Sequence, residues 1–499
     1  MPRTLLDNPK GITMSRAKRP NILFVFSDQQ RYSALGANGN SVVQTPTIDQ
    51  LAAEGMVCDR MFSNHPLCSP YRAMLLTGRY GWQNHVIDNE YLPRRDIPTL
   101  PGTLQEHGYG TAHVGTFHLG EGPYEKEDRY GIEYLAAPDL HRPGGYYDPA
   151  YFENEIGPIE RKGWGPKIET DLAINFIERH LDKRPDDPFA VFLSWRPPHW
   201  PYGQYPDEYR LYNPEDMDVP GNVPPQMVGF ARKELADYYG CCTGLDAQMT
   251  RLLGSLDQLG IADTTMVCYT SDHGDHLSSH GYGKPFDTWL HPSMRASKAT
   301  PYEESAHVPF VVRWPGHTPA GTRSTSFMGT IDLMPTLLGA CNIPLPDGLQ
   351  GRDVSDVWRG KAAPVDTELT PGGSDSVYLQ NMANGWPDRT EWVGPWRAVR
   401  TESWSYTRWL DNRRGPWLFD LANDPLEMIN LAEDPKPWEQ RPSDPTVYKE
   451  ALEEMEFRLH RWMEGTSDPF EYGRRGPRGF LDLGQRFANP ERYSAWGVS

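Results

Sequence analysis

Two apolar runs far apart in the chain, Asn21 to Phe26 and Met266 to Thr270, each end in a carboxylate. The first runs into Ser27-Asp28-Gln29 and the second into Ser271-Asp272-His273. An apolar run without polar alternation is a strand buried on both faces, as in a parallel sheet covered by helices. In open α/β sheets ligands collect at the carboxyl ends of such strands. Tyr109 to Val114 and Phe189 to Leu193 read as two more strands, ending at Gly115-Thr116-Phe117-His118 and Ser194-Trp195-Arg196-Pro197-Pro198-His199. The fold class is therefore α/β, a mostly parallel sheet flanked by helices. A turn-capping Asp28 is the structural alternative to a ligand.

The helices between these strands are read from periodicity and stop signals. They fall at Thr47 to Glu54 before Gly55, Leu100 to His107 before Gly108, Pro166 to Lys183, and 231–258. Residues 121–165, rich in Gly, Pro and Tyr, read as a long irregular insertion of the kind that lines pockets. From about residue 370 short strands and turns take over, at Ser376–Gln380, Trp396–Thr401, Trp404–Leu410 and Trp417–Asp420. They are followed by an amphipathic helix, Val447 to Met463. This predicts a small C-terminal antiparallel sheet with one helix. The expected organisation is a catalytic domain over 18–369 and a subdomain over 370–499 with an extended tail after Gly465.

The stretch Pro66-Leu67-Cys68-Ser69-Pro70-Tyr71-Arg72-Ala73-Met74-Leu75-Leu76-Thr77-Gly78 reads as a helix. Ser69 suits the cap, Pro70 the first helical position and Gly78 the end. Cys68 then sits just before a helix N-terminus, with Arg72 one turn in. A thiol there is expected to have a lowered pKa and to be reactive. A buried packing cysteine is the structural alternative.

Composition excludes some functions. The net charge of −18 lacks the basic face that nucleic acid requires, and no apolar run is long enough to span a membrane. The first twenty residues lack the apolar core of a signal peptide, so a cytoplasmic protein is expected. The six cysteines follow no disulfide or zinc pattern, and Cys241 and Cys242 read as helix packing residues.

Cys-x-Pro-x-Arg followed by two apolar residues and Thr-Gly resembles the signature of the formylglycine-dependent (type I) sulfatases of the alkaline phosphatase superfamily. The resemblance runs from about Pro20 to Leu431. It includes TPTIDQLAAEGM, Gly115-Thr116-Phe117-His118-Leu119-Gly120, Pro198-His199-Trp200-Pro201-Tyr202, Asp272-His273-Gly274 and Lys298-Ala299-Thr300-Pro301-Tyr302-Glu303-Glu304. It implies an alkaline-phosphatase-like fold and hydrolysis of a sulfate ester of a small molecule or saccharide. In that reading Cys68 becomes formylglycine, the work of a formylglycine-generating enzyme, and its hydrate attacks sulfur. Arg72 holds the diol, and His118, His199 and Lys298 surround the ester. Asp28, Gln29, Asp272 and His273, with converted Cys68, hold one divalent cation. This oxygen-rich set favours Ca²⁺, with Mg²⁺ or Mn²⁺ also suited.

Asn89 and Thr116 are the expected substrate-binding positions. A turn asparagine is the alternative for Asn89. Thr116 stands where the family has a lysine, and Tyr71 where it has a small residue. Lys284, within an insertion at 282–297, is a candidate to replace the missing charge. Asp275 and His276 are expected to form a solvated turn rather than to support the ligands. The rival reading is a phosphonate monoester or phosphodiester hydrolase of the same superfamily. Further rivals are a binding protein whose Cys68 stays a thiol, and a thiol hydrolase. A homo-oligomer is compatible with the sequence.

Overall fold

The computed structural model describes residues 19–89, 91–140, 145–281, 294–362, 375–382, 394–410, 415–433 and 445–470. The four apolar runs are neighbours in one sheet. Asn21–Asp28 pairs in parallel with Phe189–Pro198 on one side and Thr265–Ser271 on the other. Gly110–Gly115 lies parallel to Phe189–Pro198, and Tyr134–Pro138 parallel to Gly110–Gly115. Four adjacent strands thus deliver Asp272, Asp28, His199 and Thr116 to the same edge.

The uninterrupted apolar runs have a direct cause. Leu23 and Val25 point to the face covered by Gly165–Lys183 and Val228–Gln258, while Ile22, Phe24 and Phe26 point to the opposite face. Both faces are buried, so neither set of alternate positions is polar. Antiparallel pairs extend the ten-stranded sheet on both sides, with Phe310–Arg313 beside Thr265–Ser271 and Ala150–Glu153 beside Tyr134–Pro138. Cys241 and Cys242 pack in two cores as expected, and all six cysteines are free thiols.

The segment 121–165 differs from its expectation. It holds the strands Tyr134–Pro138, Ala150–Glu153 and Ile156–Glu160, which extend the main sheet to its edge. Each strand is four or five residues long and the last is largely exposed. Strands this short carry too little hydrophobic pattern to be read from sequence.

The helix Cys68–Thr77 is buried along its whole length. Tyr71 and Leu75 pack on the main sheet, Met74 against the C-terminal sheet, and Ala73 and Leu76 against Phe117 and Val86. A helix apolar all round belongs inside a protein. Gly78 ends it in the left-handed conformation (φ 60°), its N–H donating to the Met74 carbonyl at 2.8 Å. The helix begins two residues earlier than the sequence suggests. Leu67 is the cap position and Ser69 lies inside the first turn, where its hydroxyl donates to the His118 carbonyl (2.7 Å).

The C-terminal sheet is antiparallel, ordered Ser376–Asn381, Trp396–Thr401, Trp404–Trp409, Trp417–Asp420. Helix Pro445–Gly465 covers it through Met455, Leu459 and Trp462. Asp468, just beyond, is fully buried against Arg397 (2.5 and 3.0 Å), which anchors the start of the tail. The boundary at 369/370, Lys284 and the tail from 471 onward lie outside the described residues.

Candidate active site

Asp28 and Asp272 leave adjacent strand ends side by side, and Arg72 bridges them. Its Nη2 is 3.2 Å from Asp28 Oδ2 and 3.0 Å from Asp272 Oδ2, while Nη1 donates to Ser194 Oγ (2.7 Å) and to the Thr116 carbonyl. All three charged side chains are buried. Burial raises the Asp28 pKa, but His199, Lys298, Arg72 and His273 together hold it well below the usual carboxylate range.

Cys68 opens its helix directly above this pair. Its Sγ is 3.3 Å from His273 Nε2 and 3.3 Å from Lys298 Nζ. His273 Nδ1 donates to the Gly274 carbonyl (3.0 Å), which leaves the Nε2 lone pair facing the cluster. Burial disfavours the charged lysine, yet the Cys68, Asp28 and Asp272 side chains raise the Lys298 pKa above its ordinary value. Lys298 is placed by its own loop, where the Ala299 N–H donates to the Pro66 carbonyl (2.8 Å).

Gln29 follows Asp28 in the left-handed region (φ 72°). Its N–H donates to Asp272 Oδ1 (3.0 Å) and its Nε2 to Asp275 Oδ2 (2.8 Å). Its Oε1 is thereby turned to the site, where it accepts from Lys298 Nζ (2.8 Å). Asp275 also accepts from the Tyr202 hydroxyl and from the Leu277 N–H. The expectation of a solvated turn at Asp275 and His276 is corrected here, because both are fully buried. His276 is held by the Thr300 hydroxyl (2.7 Å) and the Ser279 carbonyl (3.1 Å).

One oxygen or nitrogen each from Asp28, Asp272 and His273, with the Cys68 sulfur, lie within 4.8 Å of one another. Two ligands on opposite sides of a Ca²⁺ ion with bonds of about 2.3–2.6 Å stand about 4.6–5.2 Å apart. The spread and the hard-donor chemistry both fit such a cation.

His199 Nδ1 donates to the Trp200 carbonyl (2.5 Å). Burial, then Lys298 and Arg196, push its pKa well below the ordinary histidine value, against the pull of Asp28. Asn89 Oδ1 accepts the Ser69 N–H (3.0 Å). It therefore takes the capping duty expected of Ser69 and leaves its Nδ2 as a donor. The Thr116 carbonyl fixes Arg72, and the Thr116 hydroxyl is buried with no partner among the described residues. His118, at φ 54°, is tied through its carbonyl to Ser69.

The sulfatase family model matches residues 20–343. The chain belongs to the sulfatase family. A second model, the N-sulphoglucosamine sulphohydrolase C-terminal region, matches residues 296–443. The ulvan-active sulfatase of Formosa agariphila is 32% identical over 428 residues, covering 84% of this chain and 78% of that protein. An endo-4-O-sulfatase of Bacteroides thetaiotaomicron is 28% identical over 480 residues, covering 85% and 90%. A solved structure with its substrate D-glucosamine-2-N,6-O-disulfate shares the fold. Its TM-score is 0.77 at 23% identity, over 91% of this chain and 99% of that one.

The chain is thus a sulfatase enzyme. Its structure brings Asp28, Gln29, Cys68, Arg72, Asp272, His273 and Lys298 into direct contact. Sequence reasoning missed Ser194 and Tyr202 and misplaced Asp275 in a solvated turn. Tyr202 carried a usable signal, since it lies three residues beyond His199 in the same loop.

Glu169 lies behind the edge. Its Oε1 accepts from the Tyr151 hydroxyl (3.1 Å), and its buried Oε2 has no partner among the described residues. Burial pushes its carboxyl from 4.5 up to about 8 against the pull of Tyr151 and Arg196. In that window the unfolded chain has released this proton and the native chain keeps it. Stability contributed here therefore falls as pH rises from 4.5 towards about 8, by up to about 1.4 kcal/mol per pH unit. Thermal melting should show Glu169→Gln gaining on the wild type across that range; parallel curves would contradict the assignment.

Proposed function

We propose that this sulfatase hydrolyses a sulfate ester on a saccharide, with Cys68 as the formylglycine precursor and a divalent cation, Ca²⁺ by preference, beside it. The observation that carries the reading is Cys68 Sγ at 3.3 Å from both His273 Nε2 and Lys298 Nζ, inside the four-donor cluster. The relatives named for ulvan and for endo-4-O-sulfate, and the fold neighbour holding a sulfated glucosamine, support the saccharide class.

The cation would be held by Asp28, Gln29, Asp272 and His273, and would supply Lewis-acid polarisation of a sulfate oxygen. Oxidised Cys68 would supply a hydrated aldehyde as nucleophile. The remaining work belongs to the chain. Arg72 holds both carboxylates in register through one guanidinium. Lys298 offers a fixed positive charge where the nucleophile and a sulfate oxygen meet. His199, its Nδ1 proton committed to Trp200, presents Nε2 to the bridging oxygen. Burial, then Lys298 and Arg196, depress its pKa, and an arriving anion offsets the two cations. His118 and Asn89 Nδ2 complete the ester-binding rim.

Asp275 positions Gln29 and the Tyr202 loop at once. Asp275→Asn is expected to weaken Ca²⁺ binding by about 10–100-fold in titration calorimetry. Unchanged affinity would remove that role.

The reaction class is tested by turnover of 4-nitrophenyl sulfate against a phenyl phosphonate monoester, using protein matured with a formylglycine-generating enzyme. Faster sulfate turnover is expected. Faster phosphonate turnover would favour the phosphonate hydrolase reading, to which Asn89, and Thr116 in place of a lysine, point.

A further inference from the structure

Among the described residues, one cation beside the site is assigned no direct contact with the ester or the nucleophile in the reaction just described. Arg196 lies on Phe189–Pro198, three residues before His199, and is half-buried. Among the described residues it makes no hydrogen bond and no ion pair; its contact is the Tyr146 ring, 5.7 Å from guanidinium carbon to centroid. Other half-buried arginines of this region are paired, Arg129 with Glu155 (2.8 Å) and Arg161 with Glu153.

Tyr146 fixes where this guanidinium stands. Its hydroxyl donates to the His199 carbonyl, and its N–H donates to Gln204 Oε1 (2.9 Å). The positive charge reaches the reacting edge, since Arg196 is among the groups that depress the His199 pKa. The acid that feels it, Glu169, is kept protonated by burial near neutral pH and does not neutralise it. A partly desolvated cation with no carboxylate is costly, and this chain has 67 acidic residues against 49 basic ones.

We propose that Arg196 binds a second anionic group of the substrate, a carboxylate or a further sulfate on the saccharide, next to the ester served by His199. The planar guanidinium fork matches both groups. The inference rests on the saccharide sulfatase reading and adds that the substrate is multiply anionic.

The test uses the matured, metal-loaded full chain as wild type, Arg196→Gln and Arg196→Lys. The substrates are a sulfated disaccharide with a uronate carboxylate, its carboxyl-reduced neutral counterpart, and a counterpart with a second sulfate in place of the carboxylate. The wild type should prefer an anionic member over the neutral one in kcat/KM, and the preferred member says whether carboxylate or sulfate is read. Arg196→Gln should lower that preference at least about tenfold through KM, and Arg196→Lys should retain part of it. Saccharide turnover with no wild-type preference, or with a preference unchanged in Arg196→Gln, would overturn the Arg196 inference alone. Turnover of 4-nitrophenyl sulfate with none of any saccharide would overturn the saccharide reading and this inference with it.

Discussion

Cys68→Ala is expected to abolish sulfate-ester turnover, lowering kcat by at least about 10⁴-fold, while leaving the protein folded. The first half follows from the absence of a substitute. Lys298, His273 and Asp28 converge on the Cys68 side chain, and each already has a bonding partner that commits it to binding or orientation. The second half follows from the packing of the helix. Tyr71, Met74, Leu75 and Leu76 fasten it on three sides, and none of these contacts involves the sulfur. The checks are steady-state rates with 4-nitrophenyl sulfate and a thermal melt. Residual activity above about 1% in a folded Cys68→Ala variant would place the nucleophile elsewhere.

Arg72→Ala is expected to damage both stability and activity, and the stability loss should depend on metal. Arg72 is the guanidinium bonded to both carboxylates, at 3.2 and 3.0 Å. Its removal leaves two buried like charges with a gap between them, at a cost of about 3–5 kcal/mol in the presence of a chelator. A divalent cation bound by the same carboxylates replaces much of the missing charge. Saturating Ca²⁺ should therefore recover most of the loss in a denaturant titration. Turnover should remain down by about 10²-fold or more, because a cation restores the charge but not the bonds to Ser194 and the Thr116 carbonyl. A variant as stable as wild type in chelator would show that Arg72 does not hold the pair together.

How far the sequence foretold this site depended on the kind of signal each residue carries. Asp28, Asp272 and His199 were legible because each ends an apolar strand, and strand ends in a parallel sheet share one edge. Cys68 and Arg72 were legible as one turn of a helix. Asp275 was not. It follows a glycine in a polar string, and its burial comes from Gln29 and Tyr202, residues no local pattern ties to it. The cap at the Cys68 helix was misread for a related reason. Asn89, distant in sequence, supplies the acceptor that Ser69 seemed placed to supply. The three edge strands within 121–165 were hidden by their length, whereas the C-terminal sheet was readable from its closely spaced Trp- and Tyr-rich strands.

The central claim is that Cys68 is the catalytic group in oxidised form. The most direct measurement is the mass of the peptide containing Cys68, taken from protein produced with a formylglycine-generating enzyme and active on 4-nitrophenyl sulfate. The account predicts that this peptide has lost its sulfur and carries an aldehyde that reacts with a hydrazide probe, in a fraction that scales with specific activity. An intact thiol at Cys68 in fully active protein would contradict it.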